Sequence, residues 1–339
     1  MRFVFLVADY ETRQSWWQFQ RTFLRLRLYT VDNLLRRRFF RLNQVYGGTL
    51  NLMRHCAVAR ACGADAVLAT MSGRDTYGDL GVANLPVIRW QDRRPTDVCI
   101  IPDLMTDLID DVAGPVIAYL QSPLFVKRNF DFAAERVRLW TDSPFMLEVC
   151  RQAYGPDKPI PIVPNIIDNQ QFPFIPQAER EPGLIFAFPR KNPEFITATE
   201  RLYQEMGGSY WRFERIDGLS IHQLAQAFRR PQVFLASAVV EGCALPPQES
   251  MASGIVVVGR SASGANFCME HRQTAMIAET PEAAARCLLE IEAPELRDEL
   301  SQNAYRAIKD YFPSEKPSEF WRELMREFGE GLGAGGMRR

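Results

Sequence analysis

Most of the chain alternates between short apolar runs and longer stretches in which apolar positions recur at helical spacing. The runs FVFLVA (3–8), AVLAT (66–70), PVIRW (86–90), DVCII (97–101), PVIAYL (115–120) and RVRLW (136–140) are five or six residues long, too short for ordinary helices. Several are rich in valine and isoleucine, so they predict strands buried on both faces. GGTLNLMRHCAVARACG predicts a helix opening at Gly47-Gly48 and closing at Gly63. The proline-rich PDKPIPIVPNIID (156–168) ends this first series, with a connecting loop starting near Pro164. A second alternation follows: strands GLIFAF (183–188), YWRFERI (210–216), QVFLAS (232–237) and GIVVVG (254–259), with helices over 193–206 and 220–229. Helical segments from 281 to 328 close the chain.

Short buried strands separated by helices make parallel sheets, and two such series make two doubly wound α/β units. The expected organisation is a first domain at 1–165, a second at 166–312, a helix at 313–330 packing back on the first domain, and a flexible tail at 331–339. In doubly wound sheets ligands sit beyond the carboxyl ends of the strands, so two facing units create a cleft between them.

One stretch breaks the rhythm. Residues 13–41 interleave Arg13, Arg21, Arg25, Arg27, Arg36, Arg37, Arg38 and Arg41 with Trp16, Trp17, Phe19, Phe23, Phe39 and Phe40, with Glu11 and Asp32 as the nearby acids. Such a face suits an anionic or lipid-linked partner, or an anionic membrane surface. Over the whole chain charge is balanced: 40 basic and 41 acidic residues give a net charge of -1, which argues against a nucleic-acid coat. Seven cysteines are scattered without metal-ligand or redox spacing and read as reduced, mostly buried thiols. No stretch approaches the ~20 apolar residues of a spanning helix. The expected location is cytoplasmic, with a peripheral seat on the inner membrane face as the bound alternative.

Chemistry concentrates in loops after second-domain strands. In FAFPRKNPEF, Arg190 and Lys191 precede a helix beginning near Pro193, and two cations at a helix N-terminus suit a pyrophosphate. In EGCALPPQESMASG (241–254), Gly242 permits close backbone approach and Pro246-Pro247 stiffens the turn. A helix starting near Pro247 would set Glu249 in its first turn, where a carboxylate can accept two hydrogen bonds from a ribose diol. SASGANF (261–267) could close over a sugar or phosphate. In DLMTDLIDD (103–111), Asp103, Asp107 and Asp110 share a helix face and read as a solvated stripe. His55 lies inside the first helix, where a core or surface role is expected. The loop after PVIAYL offers Gln121 and Ser122, and no residue stands out as a general base.

EGCALPPQESMASG, with PRKNP and VPNIID upstream, resembles the donor domain of retaining glycosyltransferases of family 4, which have the two-domain GT-B fold. Two glutamates eight positions apart carry the likeness, which spans about 160 to 290 in order and spacing; YGGTLNLMRHCAVARACGADAVLAT is similar to the Gly-Gly helix of the family's acceptor domain. The sequence departs from the pattern at Cys243, Ala244, Ser250 and Ser253, and its Arg190 and Lys191 are adjacent where many relatives separate them.

The resemblance implies transfer of a sugar from a nucleotide diphosphate sugar to a glycan, lipid-linked or other acceptor. Glu249 would hold the ribose and Glu241 would lie by the donor sugar. Arg190 and Lys191 would neutralise the diphosphate, and Gly48 would let the first-domain loop approach it. Gly242, Cys243, Ala244 and Leu245 would border the donor. No separate cofactor or metal is implied, because cations and backbone amides take a metal's electrostatic role. A GT-B sugar-nucleotide epimerase and a nonenzymatic glycan- or anionic-polymer-binding protein with a degenerate donor site remain the alternatives.

Overall fold

The computed structural model describes residues 1–10, 41–42, 46–75, 84–126, 136–163 and 165–335. The basic and aromatic stretch 13–41 lies outside them apart from Arg41, as do residues 336–339 of the tail.

The first six-stranded sheet is parallel throughout. It contains β1 (Arg2–Leu6), β4 (Asp65–Thr70), β5 (Val87–Arg89), β6 (Val98–Pro102), β7 (Val116–Leu120) and β8 (Val137–Thr141), in the order β5-β4-β1-β6-β7-β8. Two short strands, β2 (Asp9–Tyr10) and β3 (Arg41–Leu42), pair beside it. Strand order reverses at β1, which pairs with β4 on one side and β6 on the other, the arrangement that opens a crevice at the carboxyl edge. The second sheet orders β9 (Leu184–Ala187), β10 (Arg212–Arg215), β11 (Val233–Ala236), β12 (Val256–Gly259) and β13 (Met276–Ile277) as β10-β9-β11-β12-β13, again parallel. Every expected strand forms, with ends no more than two residues from those of its apolar run.

Helix α1 (Gly47–Ala61) is buried continuously from Thr49 to Cys56, polar residues included. The reason is its position, wedged between the first sheet, the connector after residue 162 and the second domain. A helix buried all round must satisfy its polar side chains internally. His55 accordingly accepts a hydrogen bond from Trp321 Nε1 at 3.2 Å, and Asn51 Nδ2 donates to Tyr119 Oη at 3.0 Å.

Helix α2 (Pro144–Tyr154) follows β8, capped by Ser143, whose Oγ accepts from Met146 N. In the second unit α3 (Pro193–Glu205), α4 (Ile221–Ala227), α5 (Leu245–Ser253), α6 (Pro281–Glu290) and α7 (Pro294–Tyr311) flank the sheet. The last helix, α8 (Lys316–Gly335), lies on the first unit: buried Trp321 meets Phe3 edge-on at 5.3 Å and Trp140 at 6.0 Å.

Two local expectations need correction. Residues 103–111 form 3-10 turns with a kink at Met105 instead of a regular helix, so the three acids do not share a solvated stripe; Asp103 is buried and Asp110 exposed. Helix α5 begins at Leu245 because both prolines fit its first turn, where no N–H is required, so Glu249 sits in the second turn.

Candidate functional site

The carboxyl edges of the two sheets face each other across a cavity of about 550 Å³. That volume lies in the range of sites that bury small ligands.

The second-domain wall contains the expected residues. β9 ends at Ala187 and the chain turns through Arg190 and Lys191 before Asn192, whose side chain caps α3 by accepting from Phe195 N at 3.1 Å. The Arg190 guanidinium stacks over Tyr46 at 4.8 Å from the ring centroid, immediately before α1, and has no ion pair among the described residues. Lys191 Nζ lies 2.5 Å from Glu241 Oε1, so the two cations differ: one is paired within its own wall, the other is held by an aromatic ring.

The loop 241–244 is fixed from the opposite domain. Ser143 Oγ donates to the Gly242 carbonyl at 2.7 Å, and Asn165 Nδ2 donates to the Cys243 carbonyl at 2.8 Å and to Gln248 Oε1 at 2.9 Å. A Cβ at Gly242 would stand 1.9 Å from the Gln121 carbonyl oxygen, so what approaches this glycine is the first domain's backbone. Ala244 has φ −74°, a conformation that any L residue adopts, so alanine meets no backbone strain in this loop. The Cys243 thiol is pushed well above its usual range, chiefly by burial and then by Asp142, which leaves it an inert packing group. Leu245 packs beside Gly47 across the domain boundary.

Glu249 is buried, and its Oε1 accepts from Arg54 Nη2 of α1 at 2.9 Å. Burial pushes its carboxyl upward, Arg54 opposes this, and Asp168 adds to the rise. A surface reading of this glutamate is therefore excluded.

The first-domain wall was legible only in part: the sequence points to Gly48 and offers Gln121, but not Asp103 or Asp142. It begins with Gly47, Gly48 and Thr49 at the N-terminus of α1, which lacks a side-chain cap, so its leading N–H groups are available to an anion. A Cβ on Gly48 would come within 3.0 Å of Gln121 Oε1. Beside them, three adjacent strands each set a polar residue one position past their last residue: Asp103 after β6, Gln121 after β7 and Asp142 after β8. Asp103 Oδ2 accepts from Gln121 N at 2.9 Å. Asp142 is 2% exposed, and its Oδ1 has no hydrogen-bond partner among the described residues. Burial first, then Asp103 and Glu241, holds the Asp142 carboxyl well above the usual carboxylate range. A single aspartate past a strand is a weak signal; three neighbouring strand ends would have been the sign, but only once strand order is known.

No family model matches the sequence, and no curated protein matches it. The fold has clear relatives among solved structures. Sucrose-phosphate synthase from Thermosynechococcus elongatus superposes with a TM-score of 0.64 at 13% identity, covering 98% of this chain and 100% of that one. Anabaena HepE in complex with UDP-glucose gives 0.66 at 12% identity over 96% of this chain and 100% of that one. A glycosyltransferase from Rickettsia africae gives 0.63 at 10% identity over 98% and 99%. At such identities the likeness is one of architecture. The chain has the GT-B fold, two Rossmann-like domains facing across a cleft.

Proposed function

We propose that the protein is a glycosyltransferase that moves a sugar from a nucleoside diphosphate donor to an acceptor on the first-domain wall. The observation that carries this reading is the meeting, in one cavity, of Arg190, the uncapped N-terminus of α1 and the buried carboxylate of Glu249. Diphosphate charge that develops as the sugar leaves would be met by Arg190, Lys191 and the α1 N–H groups, which makes a metal ion unnecessary. Glu249 would take the ribose hydroxyls. Glu241, beside Lys191, would face the donor sugar, where its carboxylate gains most as positive charge builds at the anomeric carbon.

Cations and acceptor wall lie on opposite domains of one cleft, so an acceptor hydroxyl can approach from the face the diphosphate leaves. The retaining outcome is the one that the likeness of EGCALPPQESMASG to family 4 implies, with the departing phosphate taking the acceptor proton. The acceptor wall, with Asp103, Gln121 and Asp142, suits hydroxyl donors such as a glycan, free or lipid-linked. Among the described residues no helix is long and apolar enough to cross a membrane. Any seat on an anionic membrane would use residues 13–41, and sedimentation with anionic vesicles at low salt tests it.

UDP-sugars are the first donors to try, since HepE was solved with UDP-glucose. Calorimetric titration with nucleoside diphosphates, followed by turnover with and without sugar acceptors, tests the reading. Glu241→Ala should lower turnover by about 100-fold or more while nucleoside diphosphate affinity changes by less than about threefold. Isomerisation of the donor without any acceptor would favour an epimerase instead.

A further inference from the structure

We propose that Arg54, a first-domain residue, is a positioning residue for Glu249 of the second domain and so sets a preference for ribonucleotides over 2′-deoxyribonucleotides. This inference rests on the reading of Glu249 as the ribose ligand.

Arg54 and Glu249 are 195 residues apart in sequence, yet both are buried and joined at 2.9 Å. The guanidinium is itself held: its Nη1 donates to the Ile166 carbonyl at 2.8 Å. One turn back along the same face of α1, Asn51 Oδ1 accepts from Ile166 N at 2.9 Å. Asn51 also donates to Tyr119 Oη, whose hydroxyl donates to the Val163 carbonyl. A chain of hydrogen bonds therefore runs from the first sheet through α1 and the connector to Glu249. A planar fork held at both tines fixes the carboxylate it touches in plane and direction, which a lysine ammonium cannot do.

Arg54 engages only Oε1 of Glu249, and the second oxygen has no hydrogen bond to the described residues. Because Glu249 lines the cavity, that oxygen is the acceptor left for a ligand. Without Arg54 the buried carboxyl would lose its one ion-pair partner among the described residues, and burial would favour a neutral acid that accepts diol hydrogens less well. The same helix opens with Gly47-Gly48 at the anion end of the cavity, so the two ends of a nucleotide would meet one rigid element.

The test is titration calorimetry of UDP and 2′-deoxy-UDP, with ADP and 2′-deoxy-ADP as a second pair, against wild type, Arg54→Gln and Arg54→Lys. Wild type should prefer the ribonucleotide by about tenfold or more, as expected where a buried polar group loses its hydroxyl partner. In Arg54→Gln the ratio should fall toward one with 2′-deoxynucleotide affinity changed by less than about threefold. Arg54→Lys should fall between, and it becomes the deciding variant if Arg54→Gln does not fold. A wild-type ratio retained in the folded variants, or equal loss of ribo- and 2′-deoxynucleotide binding, overturns the proposal and leaves the nucleotide site standing. A wild type that binds neither pair, or does not discriminate within either, overturns the reading of Glu249 itself.

Discussion

The two walls of the cavity are built by one device, polar residues just beyond the carboxyl ends of parallel strands, and they carry opposite chemistry. The second-domain wall presents Arg190 and Lys191 on a loop between β9 and α3, with Glu241 paired to Lys191. The first-domain wall presents Asp103, Gln121 and Asp142, and among the described residues its anion-binding feature is the start of α1. A diphosphate fits the first arrangement and is repelled by most of the second. Under the proposed function the second-domain wall would be the donor side and the first-domain wall the acceptor side, because like charges facing a desolvated ligand are costly.

The comparison breaks most sharply at Glu249. Glu249→Ala would strand the Arg54 guanidinium in a buried site, and loss of one partner of such a pair destabilises by about 3–5 kcal/mol. Urea denaturation should show that loss, and it would mask any effect on nucleotide binding. Glu249→Gln keeps an oxygen for Arg54, so it should retain most of the stability while weakening nucleoside diphosphate binding by about tenfold or more. Equal stability of the alanine variant and wild type would show that the ion pair does not join the walls.

Gly242→Ala is the next largest change. Its Cβ would collide with the Gln121 carbonyl at 1.9 Å, and backbone cannot yield as a side-chain tip does. The domains must separate there and loosen the Ser143 bond to the Gly242 carbonyl, at an expected cost of about 1–3 kcal/mol, measurable by calorimetric melting.

Asp142→Asn should act in the other direction. The folded Asp142 carboxyl titrates above its unfolded counterpart, so between those two values the folded state binds the extra proton. Stability contributed by this group is present below about pH 4 and is lost as pH rises through the folded value. Asparagine has the same shape and escapes that loss. At neutral pH the variant should melt a few degrees higher than wild type, with the gap closing toward about pH 4. It should also use acceptors less well while nucleotide affinity stays unchanged, which separates the two walls kinetically. A variant that melts lower at pH 7 would mean that Asp142 is paired in solution.

Much of the second-domain wall was open to reading because its determinants are local. Arg190-Lys191 before a helix, and a glycine and two prolines between Glu241 and Glu249, lie within a few residues of one another, and turn chemistry acts at that range. The parallel sheets were equally legible, since burial on both faces writes itself into five-residue apolar runs. Asp103 was misread for the same reason: local spacing suggested a solvated helix face, whereas β7 beside it puts the carboxylate under Gln121 N.

By itself the sequence determined where strands and helices lie, how the chain divides into two α/β series, and which short loops bring cations and carboxylates near strand ends. Only the tertiary structure decided that Asp103, Gln121 and Asp142 stand side by side, because strand order joins residues that no local pattern links. It also decided that Gly242 is needed for contact between domains, and that Arg54 meets Glu249. Burial and pairing depend on what packs against a residue from elsewhere in the chain, and for Glu249 that partner is 195 positions away.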